Sequence, residues 1–286
     1  MPIDRYTKRA AWIHRKTRQA VRAYPQLWRK LVENWRSTDE EDALWLTYAA
    51  NYLLRTAGIH WALDPFSLLT RVGNRPQPNF KQDLAPFKMV VLSHLHRDHF
   101  DPNLLSALYD LPITWVVPEF MRESVLAILP MEPARFIVPK PGLPITLGNL
   151  VLTPFEALHF NGHHGVPEMG YLAEFSGKRW LFPGDIRNYD LKALPDFGKL
   201  DGVLAHCWLG KNAALSPETD KLAGFSRFFS SMNTQKIVVS HLYEWARDAR
   251  DLWTMRHFRL LRGWLRNDGF KGEMVLALTG SYISLE

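Results

Sequence analysis

The sequence predicts an α+β fold in which helices cover β-sheets, preceded by a helical N-terminal extension. Three observations predict it. Short apolar runs bounded by Gly, Pro or polar clusters recur from about residue 44 onward. Helical patterns break these runs at irregular intervals, and some neighbouring strands read as hairpins, unlike a simple parallel doubly wound sheet. The first 36 residues differ from the rest, being rich in charge with apolar residues at helical spacing.

The elements follow in order. Asp4–Ala23 has no Pro or Gly and carries Ala11, Trp12, Ile13 and Val21 among charges, which predicts an amphipathic helix interrupted by Pro25. Gln26–Trp35 predicts a second short helix, with Leu27, Trp28, Leu31, Val32 and Trp35 on one side. Ser37–Asp42 is polar and acidic, so the expected organisation is an arm over 1–36 and one domain over 37–286. In Leu44–Pro65 the alanines argue helix, whereas Tyr52–Arg55 and His60–Pro65 argue two strands turning at Gly58. Met89–Ser93 reads as a buried strand, and Asp101 with Pro102 behind it reads as the start of a helix to Tyr109. Ile113–Val117, Arg135–Val138 and Leu150–Thr153 read as strands, and Met169–Phe175 with Arg179–Phe182 as a hairpin about Ser176-Gly177-Lys178. Gly202–Ala205 and Lys236–Ser240 are expected strands flanking a helix near Thr219–Ser231. Arg247–Asn267 reads as a long helix and Met274–Leu278 as the last strand.

Composition narrows the class. Of 286 residues, 47% are hydrophobic and 22% charged, which supports a sizeable core and excludes global disorder. No apolar run is long enough to form a transmembrane helix, and no apolar stretch follows the basic start as a secretory signal would. Cys207 is the only cysteine, so no internal disulfide is possible and a cytoplasmic location is expected. Residues 1–36 hold ten Lys or Arg against Asp4 and Glu33. The chain's net +6 therefore belongs to the arm, and the remainder is slightly acidic. A basic arm suits nucleic acid, an anionic membrane or an acidic partner, or is simply a solvated helix face.

The chemistry concentrates at His94-x-His96-x-Asp98-His99, directly after an apolar strand. Residues two apart on an extended strand share a face, so His94 and His96 can approach one ion together. Asp98 and His99 fall in the following turn and can serve a second. Imidazole and carboxylate donors suit zinc, and also iron or manganese. One motif cannot close two sites, and further donors stand at other strand ends: His159 after Phe155-Glu-Ala-Leu, Asp185 after Gly184, and His241 after Ile237-Val-Val-Ser. Singly, such residues are more often structural or turn residues; their recurrence with the His94–His99 cluster gives them weight.

This ordered set, Asp64, then His94/His96/Asp98/His99, a single His, Gly184-Asp185 and His241, resembles the metallo-β-lactamase superfamily. Trp45–Leu53 running to Leu63-Asp64-Pro65 resembles the opening hairpin of the branch of ascorbate-6-phosphate lactonase and N-acylphosphatidylethanolamine phospholipase D. That favours strands over 44–65, and the resemblance spans about residues 43–280. It implies an αββα sandwich with two divalent metal ions, most simply zinc, between the sheets. By position, His94, His96 and His159 would bind the first metal, Asp98, His99 and His241 the second, and Asp185 would bridge them. Asp64 would orient a ligand from behind. Two departures stand out. The branch commonly has His where Tyr48 stands, so the role of that His is lost or taken by a phenol, which makes Tyr48 a substrate candidate. His163 and His164 share the loop of His159; its strand-end position favours His159, leaving the other two to face substrate or solvent.

Such a site implies hydrolysis of an ester, lactone or phosphodiester by a metal-bridging hydroxide, a nucleophile that needs no serine or cysteine. Asp98 would relay a proton by the same resemblance. After Gly202–Ala205, His206 is the expected general acid or substrate contact, Trp208 a substrate contact and Lys211 an anion contact. The basic residues and the branch incline the reading toward phosphorylated substrates. The expected partner is a small molecule, with a homo-oligomer possible. A nuclease using the arm on nucleic acid, and a non-catalytic metal protein whose arm docks on a membrane or partner, are the alternatives.

Overall fold

The computed structural model describes residues 3–37, 41–73, 75–130, 135–160 and 162–286. Two seven-stranded mixed sheets face each other. The first has the order β14-β1-β2-β3-β4-β5-β6, from Ala43–Leu46 (β1), Tyr52–Thr56 (β2), Ile59–Leu63 (β3), Met89–Val91 (β4), Thr114–Val116 (β5), Phe136–Ile137 (β6) and Tyr282–Ser284 (β14). The second has the order β13-β12-β11-β10-β9-β8-β7, from Ile145–Leu147 (β7), Leu150–Glu156 (β8), Met169–Phe175 (β9), Lys178–Phe182 (β10), Gly202–His206 (β11), Lys236–Ser240 (β12) and Glu273–Leu276 (β13).

Alternation along the strands divides the core into three layers. Leu44, Leu54, Trp61 and Val91 of the first sheet meet Leu152, Tyr171, Trp180 and Val238 of the second between the sheets. Their neighbours Ala43, Trp45, Leu53 and Val90 face outward. There they are covered by α1 (Ile3–Trp35), α2 (Leu68–Val72), α3 (Phe80–Asp83), α4 (Pro102–Ala107) and α5 (Arg122–Leu126). The outer face of the second sheet, with Leu181, Val203 and Val239, is covered by α6 (Thr219–Ser230) and α7 (Met255–Asn267). This is the expected αββα sandwich with an N-terminal helix. Both faces of each sheet are covered, which is why strands such as β1 and β4 read as unbroken apolar runs.

The structure corrects several elements. The arm is one 33-residue helix that continues through Pro25. A proline inside a helix costs about 3 kcal/mol, and flanking anchors offset it here. Tyr24 is buried and its hydroxyl donates to the Thr47 carbonyl at 2.9 Å. Trp28 Nε1 donates to Asp83 at 2.8 Å and Trp35 Nε1 to the Leu54 carbonyl at 3.0 Å. Trp28 thus packs on α3, against Phe80, and Trp35 on the first sheet, while the basic residues Arg15, Arg18, Arg22 and Arg29 point outward. Helix α7 begins at Met255, since Glu244–Thr254 is tied by side chains into the molecule's centre. Strands β7 and β14 lie where no strand was expected, and β13 is not the last. The expected boundary at Ser37–Asp42 falls partly outside the described residues. Replacing Tyr24 by Phe, which strands the buried Thr47 carbonyl, should lower stability by about 1–3 kcal/mol in urea titration.

Topology places the site. Strands β3, β4 and β5 run parallel, as do β10, β11, β12 and β13. Their C-terminal ends open at one edge of the sandwich, and the residues singled out above follow those ends directly: Asp64 after β3, His94 after β4, Asp185 after β10, His206 at the end of β11 and His241 after β12. The antiparallel pairing of β8 with β9 brings His159 and Glu168 to the same edge.

Candidate metal centre

At this edge seven donors converge. Single ligand atoms of His94, His96, His159 and Asp185 lie within 4.8 Å of one another, and so do those of Asp98, His99 and His241. Asp185 also groups with His99 and His206, and its Oδ1 and Oδ2 lie 3.6 Å from His99 Nε2 and 3.5 Å from His241 Nε2. It therefore stands between the two sets. His241 takes the left-handed conformation, φ 66°, and its amide donates to the Ala49 carbonyl at 2.7 Å. His159 is fully buried in the cluster, whereas His163 and His164 are exposed beside the adjacent cavity. The loop can fold back this way because Gly165, at φ 123°, has no Cβ; one would stand 2.3 Å from the His159 carbonyl oxygen.

A shell of hydrogen bonds orients the donors. Asp64, itself at φ 46°, accepts from Ser93 N at 2.7 Å and from His99 Nδ1 at 2.8 Å. Asn51 Nδ2 ties the carbonyls of Asp64 and Asp98 together at 2.9 and 2.8 Å. Glu168, fully buried, lies 2.9 Å from His94 Nδ1 and 3.2 Å from His159 Nδ1, and accepts from Asp185 N at 2.9 Å. Gly184 is required beside it, since a Cβ there would stand 2.4 Å from the Glu168 carboxylate. Arg247 Nη2 donates to Asp98 Oδ2 at 3.0 Å, and Glu244 pairs with both Arg247 and Arg71. Sequence reasoning missed Glu168, Arg187, Glu244 and Arg247. A charge heading the apolar β9, and charges directly after His241, were the available signals.

Two expectations change. His206 was expected to protonate a leaving group, but both its ring nitrogens are engaged. Nδ1 lies 2.8 Å from Asp185 Oδ1 and Nε2 lies 2.9 Å from the Tyr52 hydroxyl, which in turn lies 2.6 Å from Ser240 Oγ. Its side chain points between the sheets, and burial lowers its pKa despite Asp185, so it orients Asp185 as a neutral imidazole. Tyr48 was expected at the substrate. It is buried instead, stacked on Phe66, with its hydroxyl donating to the Trp245 carbonyl at 2.7 Å.

The electrostatics suit cations. Burial pulls His99 down, but Asp185, Asp64 and Asp98 outweigh it and raise it to about 9. Burial, with His94 and His159, lowers His96 to about 3, leaving it neutral, the form that ligates. Burial opposes ionisation of Asp98 and Asp185, yet the histidines around them, and Arg247 at Asp98, hold both well below the usual carboxylate range. Among the described residues, Nε2 of His99 and both ring nitrogens of His159 and His241 are buried without a hydrogen bond of good geometry. Buried polar nitrogens are costly when unsatisfied, and ions among these donors would satisfy them. The residues present therefore fit metal ions.

The cluster forms part of the wall of a cavity of about 930 Å3. Among the described residues lining it, Asp98 is the one carboxylate, while Arg71, Arg97, Arg187, Lys211, Lys221 and Arg247 supply cations. Trp208 also lines it, with the guanidinium carbons of Arg187 and Arg247 at 4.9 and 4.7 Å from its ring.

Comparison with known proteins agrees with this architecture. Residues 62–241, more than half of the chain, match the family described as Beta-lactamase superfamily domain. Among solved structures, Igni18, a metallo hydrolase from Ignicoccus hospitalis, is 13% identical with a TM-score of 0.62, over 86% of this chain and 98% of that one. Isothiocyanate hydrolase from Delia radicum gut bacteria is 16% identical with a TM-score of 0.58, over 85% and 100%. CmlA, a diiron β-hydroxylase from Streptomyces venezuelae, is 17% identical with a TM-score of 0.62, over 87% of this chain but 55% of CmlA. At these identities the likeness is one of fold. No curated protein matches the sequence. Among the described residues no helix is long and apolar enough to cross a membrane.

Proposed function

The chain belongs to the β-lactamase superfamily and is a metal-dependent hydrolase; from that premise we propose that it uses a dinuclear site to cleave an ester, lactone or phosphodiester bond in a small anionic substrate. One observation carries the reading: two donor sets, His94/His96/His159 and Asp98/His99/His241, meet with Asp185 between them. Each set would hold one divalent cation. Their nitrogen and oxygen donors favour zinc, and also accommodate manganese or iron. Two such cations would supply Lewis acidity toward the scissile carbonyl or phosphoryl oxygen and lower the pKa of water toward neutrality.

The chain's own residues supply the rest. Glu168 and Asp64 fix the ring orientations of His94, His159 and His99. His206 fixes Asp185. Asp98 is the proposed proton acceptor, with Arg247 holding its Oδ2. The cations of the cavity support the choice of an anionic, phosphorylated substrate. Arg187 and Lys211 are its proposed contacts, Trp208 forms the wall beside them, and His163 and His164 stand at the rim.

Metal analysis coupled to a panel of p-nitrophenyl esters, bis-p-nitrophenyl phosphate and lactones tests this reading. About two ions per chain and chelator-sensitive turnover are expected. Full metal occupancy with no turnover across the panel would instead favour the non-catalytic alternative. Lys211→Ala and Arg187→Ala should each raise KM for bis-p-nitrophenyl phosphate about tenfold, with a smaller effect on a neutral ester. Equal effects on both substrates would reject the anion contacts.

A further inference from the structure

The segment between β12 and α7, residues 241–254, carries His241, Glu244 and Arg247 into the centre without regular secondary structure. Three of its residues that bear side chains, His241, Tyr243 and Ala246, have φ of 66°, 52° and 75°. Such conformations are disfavoured and persist only where surrounding contacts over-determine them. On the side of the site those contacts are the Arg247 bond to Asp98, the Glu244 pairs, and the Tyr48 hydroxyl on the Trp245 carbonyl.

On the opposite side the contacts come from the N-terminal half of α1, more than 230 residues away in sequence. Arg9 grips two carbonyls of the segment at once, donating from Nε to Ala249 O at 2.7 Å and from Nη2 to Leu252 O at 2.6 Å. The Tyr6 hydroxyl donates to Asp248 at 2.9 Å. Ile13, with Ala10 and Trp12, packs against Ala249, Leu252 and Trp245. Arg9 is half-buried, unlike the outward-facing Arg15, Arg18 and Arg22. The same segment also holds the cavity wall near Lys211: Asn212 N donates to Asp251 at 2.6 Å and Ala214 N to Arg250 O at 3.0 Å.

We propose that α1 is a built-in brace for this loop, and that Arg9 is a positioning residue acting on the metal centre through Arg247 and Asp98. The inference rests on the proposed function only in assigning Asp98 and His241 to a metal ion. The arm's role is then to fix the strained loop, with its outward charge a separate property.

The test compares the full-length, zinc-loaded chain with Arg9→Ala, Arg247→Ala, the double variant and Tyr6→Phe, using Arg18→Ala on the exposed face as control. Amide hydrogen exchange over residues 244–253, zinc retention against a chelator, and turnover of the best panel substrate are measured. R9A should speed exchange in 244–253 and weaken retention of one of the two ions about tenfold, the size of coupling seen between linked positions. R18A should do neither. The double variant should lose no more than R247A alone, because both act through one contact. Additive losses, or exchange in 244–253 that is the same in R9A as in the unaltered chain, would overturn the brace. If R9A fails to fold, Tyr6→Phe removes only one surface hydrogen bond and must still speed exchange there. An absence of turnover in every protein would count against the proposed function and leave the exchange and retention results to decide the brace.

Discussion

Replacing Asp185 by Asn is expected to lower kcat/KM by more than ~10³-fold and to cut bound metal from about two ions to one or none. Asn preserves the volume and the backbone contact to Glu168, so the change isolates charge. In the structure this carboxylate is the common neighbour of both donor sets. It lies near Nε2 of His99 and His241, and it shares a cluster with His94, His96 and His159. A neutral amide offers one weak oxygen donor where two cations would each need an anionic one, and its NH2 group would face the remaining ligands. His206, whose Nδ1 lies 2.8 Å from Oδ1, would lose its charged partner as well. Metal content by mass spectrometry, measured beside kcat/KM, separates loss of ions from loss of chemistry. Retention of both ions with activity within tenfold of the parent would remove Asp185 from its proposed bridging position.

How much of this was readable in the sequence depended on whether neighbours in space were also neighbours in the chain. His94–His99 is contiguous and visible at once. Asp185, His159 and His241 were approachable because each stands just beyond an apolar run, and strand ends collect at one edge in this architecture. Glu168 gave no comparable sign. Its role exists only because β9 begins where β8 ends, which places one carboxylate against two histidines from different loops. Arg247 followed His241 closely enough to be noticed, but its segment had helical composition. Only the ties to Asp98, Tyr48 and Arg9 explain why the helix waits until Met255. His206 was placed on the right strand and given the wrong task. A strand's alternation does not tell which face meets Tyr52 and which meets substrate. Pro25 misled in the opposite way: local propensity predicted a break, and the anchoring of Tyr24 on Thr47 and of Trp28 on Asp83 overrode it.

The second large effect concerns Glu168, which makes no claim on a metal itself. Its carboxylate lies 2.9 Å from His94 Nδ1, which also meets Ser93 Oγ at 2.8 Å, and 3.2 Å from His159 Nδ1, and it accepts from the Asp185 amide in a fully buried site. Burial favours the protonated acid, yet the two histidines hold it well below the usual carboxylate range, so it is an acceptor toward every neighbour. An imidazole that donates from Nδ1 must present the lone pair of Nε2, which fixes the tautomer a metal requires. Glu168→Gln keeps the shape and removes half of this logic. Its amide NH2 would confront one of the two Nδ1–H groups, and that histidine would have to rotate or change tautomer, turning an N–H toward the ion. The expected loss in metal affinity is about 10–100-fold, and it should fall on the His94/His96/His159 set, because His99 and His241 take their orientation from Asp64 and from the loop. Chelator competition that resolves two binding steps measures this directly. One step weakened and the other intact is the predicted pattern. Equal weakening of both steps would mean that Glu168 acts through Asp185 and not through the histidines, and two unaltered steps would mean that the tautomers are fixed by something other than this carboxylate.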